Sequence, residues 1–279
     1  MESGVTGEGG TLFVVSTPIG NMGDFSFRAV ETLRSVAAVL AEDTRHTRHL
    51  LDRYEIDVPL VAYHEHNEAK ATPGLVARLL RGESLALVSD AGTPLLSDPG
   101  ARLVRAAADS GVRVSPVPGA SALLAALVAS GLDVDRFTFF GFLARKGTER
   151  RAAIDELVEA RHTAVIYEAA NRVEDTLAQL AESGAGDRTT IVARELTKQY
   201  EELRRGTVAE LAAYYGQSPP RGEVVIVIAG RTPQSVSEEE LRARATALRA
   251  EGRSARDVAA VLSAELGAPR NVAYRLAHE

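Results

Sequence analysis

The chain has 279 residues, 45% apolar and 25% charged, with a formal net charge of −6. It is long enough for one large domain or two ordinary ones, and its acidic balance argues against a protein that coats nucleic acid over its whole surface. Cysteine is absent, which removes disulfides and cysteine-ligated metal centres and accords with a cytoplasmic compartment.

The first ten residues are polar and glycine-rich, without the charged start and apolar stretch of a signal peptide. Leu12–Ser16 then reads as a buried strand, and Ser26–Arg34 as a helix capped by Ser26. Val36–Ala41 is the next strand, followed by helix Thr44–Tyr54, strand Leu60–Tyr63, a helix ending near Leu80 and Gly82, and strand Leu85–Ser89. Asp98-Pro99 places a capping residue before a proline at the first helical position, which predicts a helix over Pro99–Asp109. Strand Val112–Val117 closes the series. Five apolar strands alternating with four helices describe a mainly parallel sheet covered on both faces.

Helix Ser121–Ala129 leads to a second series, with strands Phe137–Leu143, Ala164–Tyr167, Thr189–Ala193 and Val224–Ala229. Its helices fall near Glu149–Glu159, Val173–Ala181 and Val208–Tyr214. Two extended stretches follow one another between Thr189 and Arg205, which predicts a mixed sheet. Thr232–Glu238 is a polar linker, and the last forty residues are helical. Helix Ser254–Leu262, the turn Gly267-Ala268-Pro269 and a helix over Asn271–Leu276 have helix-turn-helix spacing. That spacing suits nucleic-acid binding or, equally, a small cap or dimerisation element. The expected fold class is α/β, with domains over residues 1–119 and 120–231 and a linker with a helical segment over 232–279. No apolar run reaches the roughly eighteen residues of a membrane span.

Four loops each follow a strand and are rich in glycine, proline and small polar residues: Ser16–Asp24, Glu42–Thr47, Ser89–Gly100 and Val117–Ser121. Any one alone is a turn. Four in one half-chain, at the carboxyl edge of an open α/β sheet, favour a binding cleft. The chain has neither G-x-G-x-x-G nor G-x-x-x-x-G-K-[ST], so a conventional dinucleotide or nucleoside triphosphate site is unsupported. S-adenosylmethionine carries no phosphate and needs exposed backbone groups, and its positive sulfur tolerates a carboxylate such as Asp90. Two clusters of cations stand out, Arg145, Lys146, Arg150 and Arg151 around Gly147, and Arg242 to Arg256 near the end. The pairs His46 and His49, and His64 and His66 around Glu65, have spacings that metals use, but surface or RNA-facing histidines explain them better, so no metal is expected. The Asp90–Thr93 string also has the look of a phosphatase aspartate loop, without the second aspartate such loops need.

Several strings resemble the bacterial small-subunit ribosomal RNA (cytidine-2′-O)-methyltransferases. They are Gly10–Asn21, Ala41–Thr47, Tyr63–Glu68, Ser89–Gly100, Pro118–Leu123, Arg194–Lys198 and Gly222–Val224, in order over residues 10–230. That family belongs to the tetrapyrrole-methylase-like (class III) methyltransferases, which have two α/β domains with S-adenosylmethionine between them. The resemblance implies cofactor contacts from Pro18, Asp90, Ala91, Gly92, Thr93, Pro94, Ser97, Asp98, Pro118, Gly119, Ala120, Ser121, Tyr167, Ala193 and Arg194. It implies a substrate cytidine of the decoding centre of 16S ribosomal RNA, within the 30S subunit, methylated on a 2′-hydroxyl that only RNA carries. Arg45, His64, His66 and Asn67 and the cluster Arg145, Lys146, Arg150 and Arg151 are the expected substrate contacts. His46, Arg45, Glu42 and Glu168 are the expected catalytic residues, with Asp43 a further possible base and the proton acceptor left open. A homodimer is expected. The chain departs from the family at Ala169-Ala170-Asn171, after Tyr167-Glu168, and at Met22. Methylation of a small tetrapyrrole-like metabolite and a non-catalytic role in ribosome assembly are the competing readings.

Overall fold

The computed structural model describes residues 9–231 and 237–279. The linker expected over 232–238 lies, except for its last two residues, outside the described residues. The chain forms two compact units, one of residues up to 158 with 162–229, the other of 159–161 with 230–279.

In the larger unit, strands β1 (Thr11–Val15), β2 (Ala38–Ala41), β3 (Leu60–Ala62), β4 (Leu85–Val88) and β5 (Arg113–Val117) form one sheet in the order β3-β2-β4-β1-β5. Every pairing in it is parallel. Helices α1 (Phe27–Ser35) and α2 (Thr44–Arg53) cover one face, packing Leu33 and Leu51 on Val39 and Ala86. Helices α3 (Glu68–Leu80) and α4 (Ala101–Asp109) cover the other, packing Leu79 and Leu103 on Leu12, Leu40 and Leu87. Both faces are dry, so β2 and β4 are apolar at every position.

α4 starts two residues later than Asp98-Pro99 predicts. Gly100 takes the capping position at φ 131°, and Asp98 stands in the cavity lining described below.

Helix α5 (Ala122–Ser130) leads to the second sheet, of order β6-β7-β10-β8-β9. Its strands are β6 (Phe137–Phe142), β7 (Thr163–Ala169), β8 (Thr189–Arg194), β9 (Glu202–Thr207) and β10 (Glu223–Ile228). Only β6 and β7 pair in parallel; β7–β10, β10–β8 and β8–β9 are antiparallel, so the sheet is mixed as expected. Helices α6 (Thr148–Glu159), α7 (Val173–Leu180) and α8 (Val208–Gln217) bury one face with Ile166, Val192 and Ile226. On the other face, Val165, Ala193, Val225 and Val227 meet α5 and Ile19, from the loop after β1. Along β7 this alternation sends Val165 and Tyr167 to the α5 side and Ile166 to the opposite side.

The smaller unit holds α9 (Glu238–Ala250), α10 (Ala255–Leu266) and α11 (Arg270–His278) around Leu241, Leu248, Val258, Leu262 and Leu276. Ser237 caps α9 in a reciprocal pair with Glu240, so the helix begins where the sequence reads as linker. Gly267 ends α10 at φ 66° and Pro269 precedes α11, so the two helices are joined by the expected short turn. Arg242 and Arg253 of its arginine stretch are paired with Glu238 and Glu279 and with Glu251. Among the described residues no helix is long and apolar enough to cross a membrane.

Candidate cofactor site

The four strand-end loops converge. Thr17 and Gly92 exchange both backbone hydrogen bonds, at 2.8 and 3.1 Å, which ties the loop after β1 to the loop after β4. Thr93 Oγ1 donates to the Ala120 carbonyl at 3.1 Å, which adds the loop after β5. The amide of Asp43 donates to Asp90 Oδ1 at 3.1 Å, which adds the loop after β2. Gly119 shows why a glycine stands in the fourth loop, since a Cβ there would lie 3.0 Å from the Ser16 Cβ. Leu95 and Ser97 hold positive φ, 74° and 69°, a strained backbone typical of binding loops.

Beside these loops lies a cavity of about 350 Å3, within the range of small-molecule sites. From the first half it is lined by Ile19, Glu42, Asp90, Ala91, Gly92, Thr93, Leu96, Ser97 and Asp98; from the second by Ala122, Phe142, Tyr167, Glu168, Ala169, Ala193, Leu196 and Gly222–Val225. The expected residues Asp90 to Thr93, Ser97, Asp98, Tyr167 and Ala193 therefore come together. Ile19, Leu96 and Leu196 line it too, inside strings that resemble the family but not singled out as site residues, whereas Phe142 and Val225 lie outside every such string. Gly222 sits at φ 87°, and a Cβ there would fall 2.2 Å from Glu195 Oε1. The Glu195 carboxylate is held by Lys198 at 2.9 Å and by the Glu223 amide at 3.0 Å, so it has nowhere to move.

Five carboxylate residues line this space: Glu42, Asp90 and Asp98, with Glu168, which faces Arg150 and Arg172, and Glu223, which pairs with Lys198. Burial, reinforced by Glu42 and Asp90, pushes the Asp98 carboxyl up to about 6. Burial and Asp90 likewise raise Glu42, and His64 opposes the rise. A pocket with this excess of negative charge beside apolar walls favours a cation with an apolar body. S-adenosylmethionine has that character, with a positive sulfur and an adenine for Ile19, Leu96, Leu196 and Val225, so the donor set fits it. The Tyr167 hydroxyl accepts from the Leu123 amide at 3.1 Å, fixing its ring against Phe139 and Phe142.

Other expected residues lie beside or beyond this lining. Pro18 and Pro94 are buried beside the lining, and Pro118, Gly119 and Ala120 shape the fourth loop. Ser121 caps α5 by accepting from the Leu124 amide. The Arg194 side chain pairs with Glu202 on the neighbouring strand at 3.1 Å, on the face opposite Ala193. Glu168, expected as a catalytic base, is 1% exposed and points to the α7 side, where Thr176, Arg172 and Arg150 surround it. Its carboxylate borders the cavity and is engaged by both arginines, the Thr176 hydroxyl and the Ala169 amide. Arg150, expected to meet RNA, is 5% exposed and bonded to Gln179, Asp175 and Thr176; it is a structural residue. Arg145, Lys146 and Arg151 remain on the surface.

Arg45 and His46 stand exposed on the first turn of α2, where Asp43 caps the helix and pairs with Arg45. That pairing holds the Asp43 carboxyl down at about 2. Asn67 closes the turn after β3, accepting from the His64 amide and donating to the Ala62 carbonyl, both at 2.9 Å. His64 and His66 lie 6.0 Å apart ring to ring, and His64 Nδ1 is buried with no hydrogen-bond partner among the described residues.

Comparison with known proteins places this geometry in a family. Residues 11–212 match the family described as Tetrapyrrole (Corrin/Porphyrin) Methylases. The chain is 45% identical, over 97% of its length and 98% of the relative's, to a protein of Synechocystis named Ribosomal RNA small subunit methyltransferase I. Proteins of the same name from Xylella fastidiosa and Bacillus subtilis are 47% and 46% identical, over 95% and 83% of this chain and 98% and 79% of theirs. Among solved structures, cobalt precorrin-4 methyltransferase shares the fold with a TM-score of 0.60 at 16% identity, covering 78% of this chain and 94% of that one. Uroporphyrin-III C-methyltransferase from Thermus thermophilus, complexed with S-adenosylhomocysteine, gives 0.56 at 18% identity, covering 79% and 97%. The chain is therefore an S-adenosylmethionine-dependent methyltransferase of the tetrapyrrole methylase family and belongs, within it, with the ribosomal RNA small subunit methyltransferases I.

Proposed function

We propose that the protein methylates the ribose 2′-hydroxyl of a cytidine in the decoding centre of 16S ribosomal RNA, within the 30S subunit. The observation that carries this reading is identity near 45% across nearly the whole chain to relatives named for the small-subunit RNA. S-adenosylmethionine, when bound, supplies a methyl group already activated by positive sulfur. The residues then have mainly to hold the hydroxyl in line with it, and such positioning supplies about 7–11 kcal/mol. Asp90 to Thr93, Ser97, Asp98, Tyr167 and Ala193 hold the cofactor, with Ile19, Leu96, Leu196 and Val225 against its apolar part.

Glu42 is the proposed proton acceptor, because it lines the cavity beside Asp90 and burial raises its pKa, which strengthens it as a base. Arg45 and His46, exposed on the adjoining helical turn, and His64 and His66 contact the substrate RNA, Arg45 as a forked phosphate donor. The second subunit of a homodimer covers Leu124 and Val128, one turn apart on α5 and 51% and 73% exposed. Mass mapping of 2′-O-methylated nucleotides in 16S rRNA from cells with and without the gene tests the reaction. Loss of one ribose-methylated cytidine supports it; an unchanged map, or transfer by the purified protein to a corrin precursor, overturns it.

A further inference from the structure

A second cavity, of about 450 Å3, is lined by Arg145, Lys146, Arg151, Asp155, Gln179 and Glu182. Arg145, Lys146 and Arg151 are exposed. Among the described residues none of the three has a carboxylate within ion-pair distance, whereas Arg45, Arg78, Arg102, Arg204 and Arg242 are all paired. In a protein of net charge −6, three unpaired cations on one edge of one groove are a local positive field. Asp155 and Glu182 repel an anion from the rest of the lining and direct it to that edge.

The segment carrying these cations is anchored. Arg172 donates to the carbonyls of Leu143 and Ala144, each at 3.0 Å, and Arg150 to Ala144 at 3.3 Å. Both guanidinium groups face the buried Glu168 carboxylate, at 3.4 and 4.0 Å. Thr176 Oγ1 completes the cage, donating to Glu168 at 2.6 Å and accepting from Arg150 at 2.9 Å. A buried ionic cage is a costly way to gain stability compared with apolar packing; what it adds is a fixed geometry. Glu168 itself borders the first cavity, together with its strand neighbours Tyr167 and Ala169. One strand thus carries both lining residues of the cofactor cavity and the carboxylate of the cage that anchors the basic segment.

We propose that Arg145, Lys146 and Arg151 hold phosphates of the RNA strand flanking the methylated nucleotide, and that the Glu168–Arg150–Arg172 cage sets their position relative to the cofactor cavity. This rests on the RNA substrate proposed above. The cations bind; Arg172 is a positioning residue.

The test compares wild type, the triple variant R145A/K146A/R151A and Arg172→Gln for direct binding of 16S rRNA at several salt concentrations and for the KM of methyl transfer to it, with S-adenosylmethionine Kd and melting temperature measured alongside. The triple variant keeps the wild-type cofactor Kd, binds RNA more weakly and loses about 2 from its log–log salt slope, since each single-strand phosphate contact contributes about 0.7. Arg172→Gln keeps the three cations and the salt slope and raises the KM for RNA. Wild-type RNA affinity and slope in the triple variant overturn the phosphate assignment while leaving the reaction intact. A wild-type KM in Arg172→Gln overturns the positioning role. Wild-type protein that neither binds nor methylates rRNA removes both the reaction and this inference.

Discussion

The hydroxyl of Tyr167, on the second sheet, accepts a hydrogen bond from the amide of Leu123, in the first turn of α5, at 3.1 Å. A first-turn amide has no partner within its own helix, so the phenol oxygen supplies one from another element. Tyr167→Phe leaves that amide unpaired at the edge of the cofactor cavity. The expected cost is about 1–3 kcal/mol of stability, read by denaturant unfolding, together with weaker binding of S-adenosylmethionine measured by calorimetry.

Asp98 gives the ligand-free protein a pH signature. Its carboxyl titrates near 6 in the folded chain, above its ordinary 3.8, so the folded state keeps the proton longer than the unfolded state. The stabilisation is complete below about 4 and is lost as pH rises through about 6. Melting temperature measured across that window should fall with rising pH for this contribution, and Asp98→Asn should remove it. Binding of a sulfonium favours the ionised carboxylate, so affinity for S-adenosylmethionine should rise over the same window while that for S-adenosylhomocysteine, whose sulfur is neutral, does not. Equal pH profiles for the two ligands would contradict the role given to Asp98.

Gly222 should tolerate no side chain. Alanine there meets the left-handed backbone strain of about 1–2 kcal/mol and a Glu195 carboxylate that Lys198 and the Glu223 amide hold in place. Gly222→Ala should lower cofactor affinity at least tenfold by calorimetry, with a smaller loss of melting temperature.

Arg150 and its sequence neighbour Arg151 should separate cleanly. Arg150→Met withdraws one guanidinium from the buried Glu168 cage and should destabilise by about 3 kcal/mol in urea unfolding. Arg151→Ala, on the surface, should stay within about 0.5 kcal/mol of wild type.

The contrast between those two arginines shows what can be read from the chain. The four strand-end loops were legible because glycine and proline follow short apolar runs, and the folded chain joins them through Thr17, Gly92, Thr93 and Asp90. The burial of Arg150 was not legible, because it depends on α7 packing beside α6 and on a carboxylate eighteen residues away on β7. Nor was the facing of Glu168 and Arg194. Both end strands buried on both sides, where an unbroken apolar run does not reveal which alternate positions face the cavity. Asp98-Pro99 carries a strong local cap signal, yet Asp98 lines the cavity and α4 begins two residues later, after Gly100. Ile19, Leu196 and Val225 join the site only when the second sheet closes over the first loop, a pairing that no local pattern encodes.

The central claim is the transfer of a methyl group to ribose. Purified protein should be incubated with 30S subunits lacking the modification and isotopically labelled S-adenosylmethionine, and the RNA digested and mapped by mass spectrometry. The account predicts label on the 2′-oxygen of a single cytidine in 16S rRNA, and less of it at limiting S-adenosylmethionine after Gly222→Ala weakens cofactor binding. Label on a base carbon or nitrogen, or on no ribosomal nucleotide at all, would contradict it.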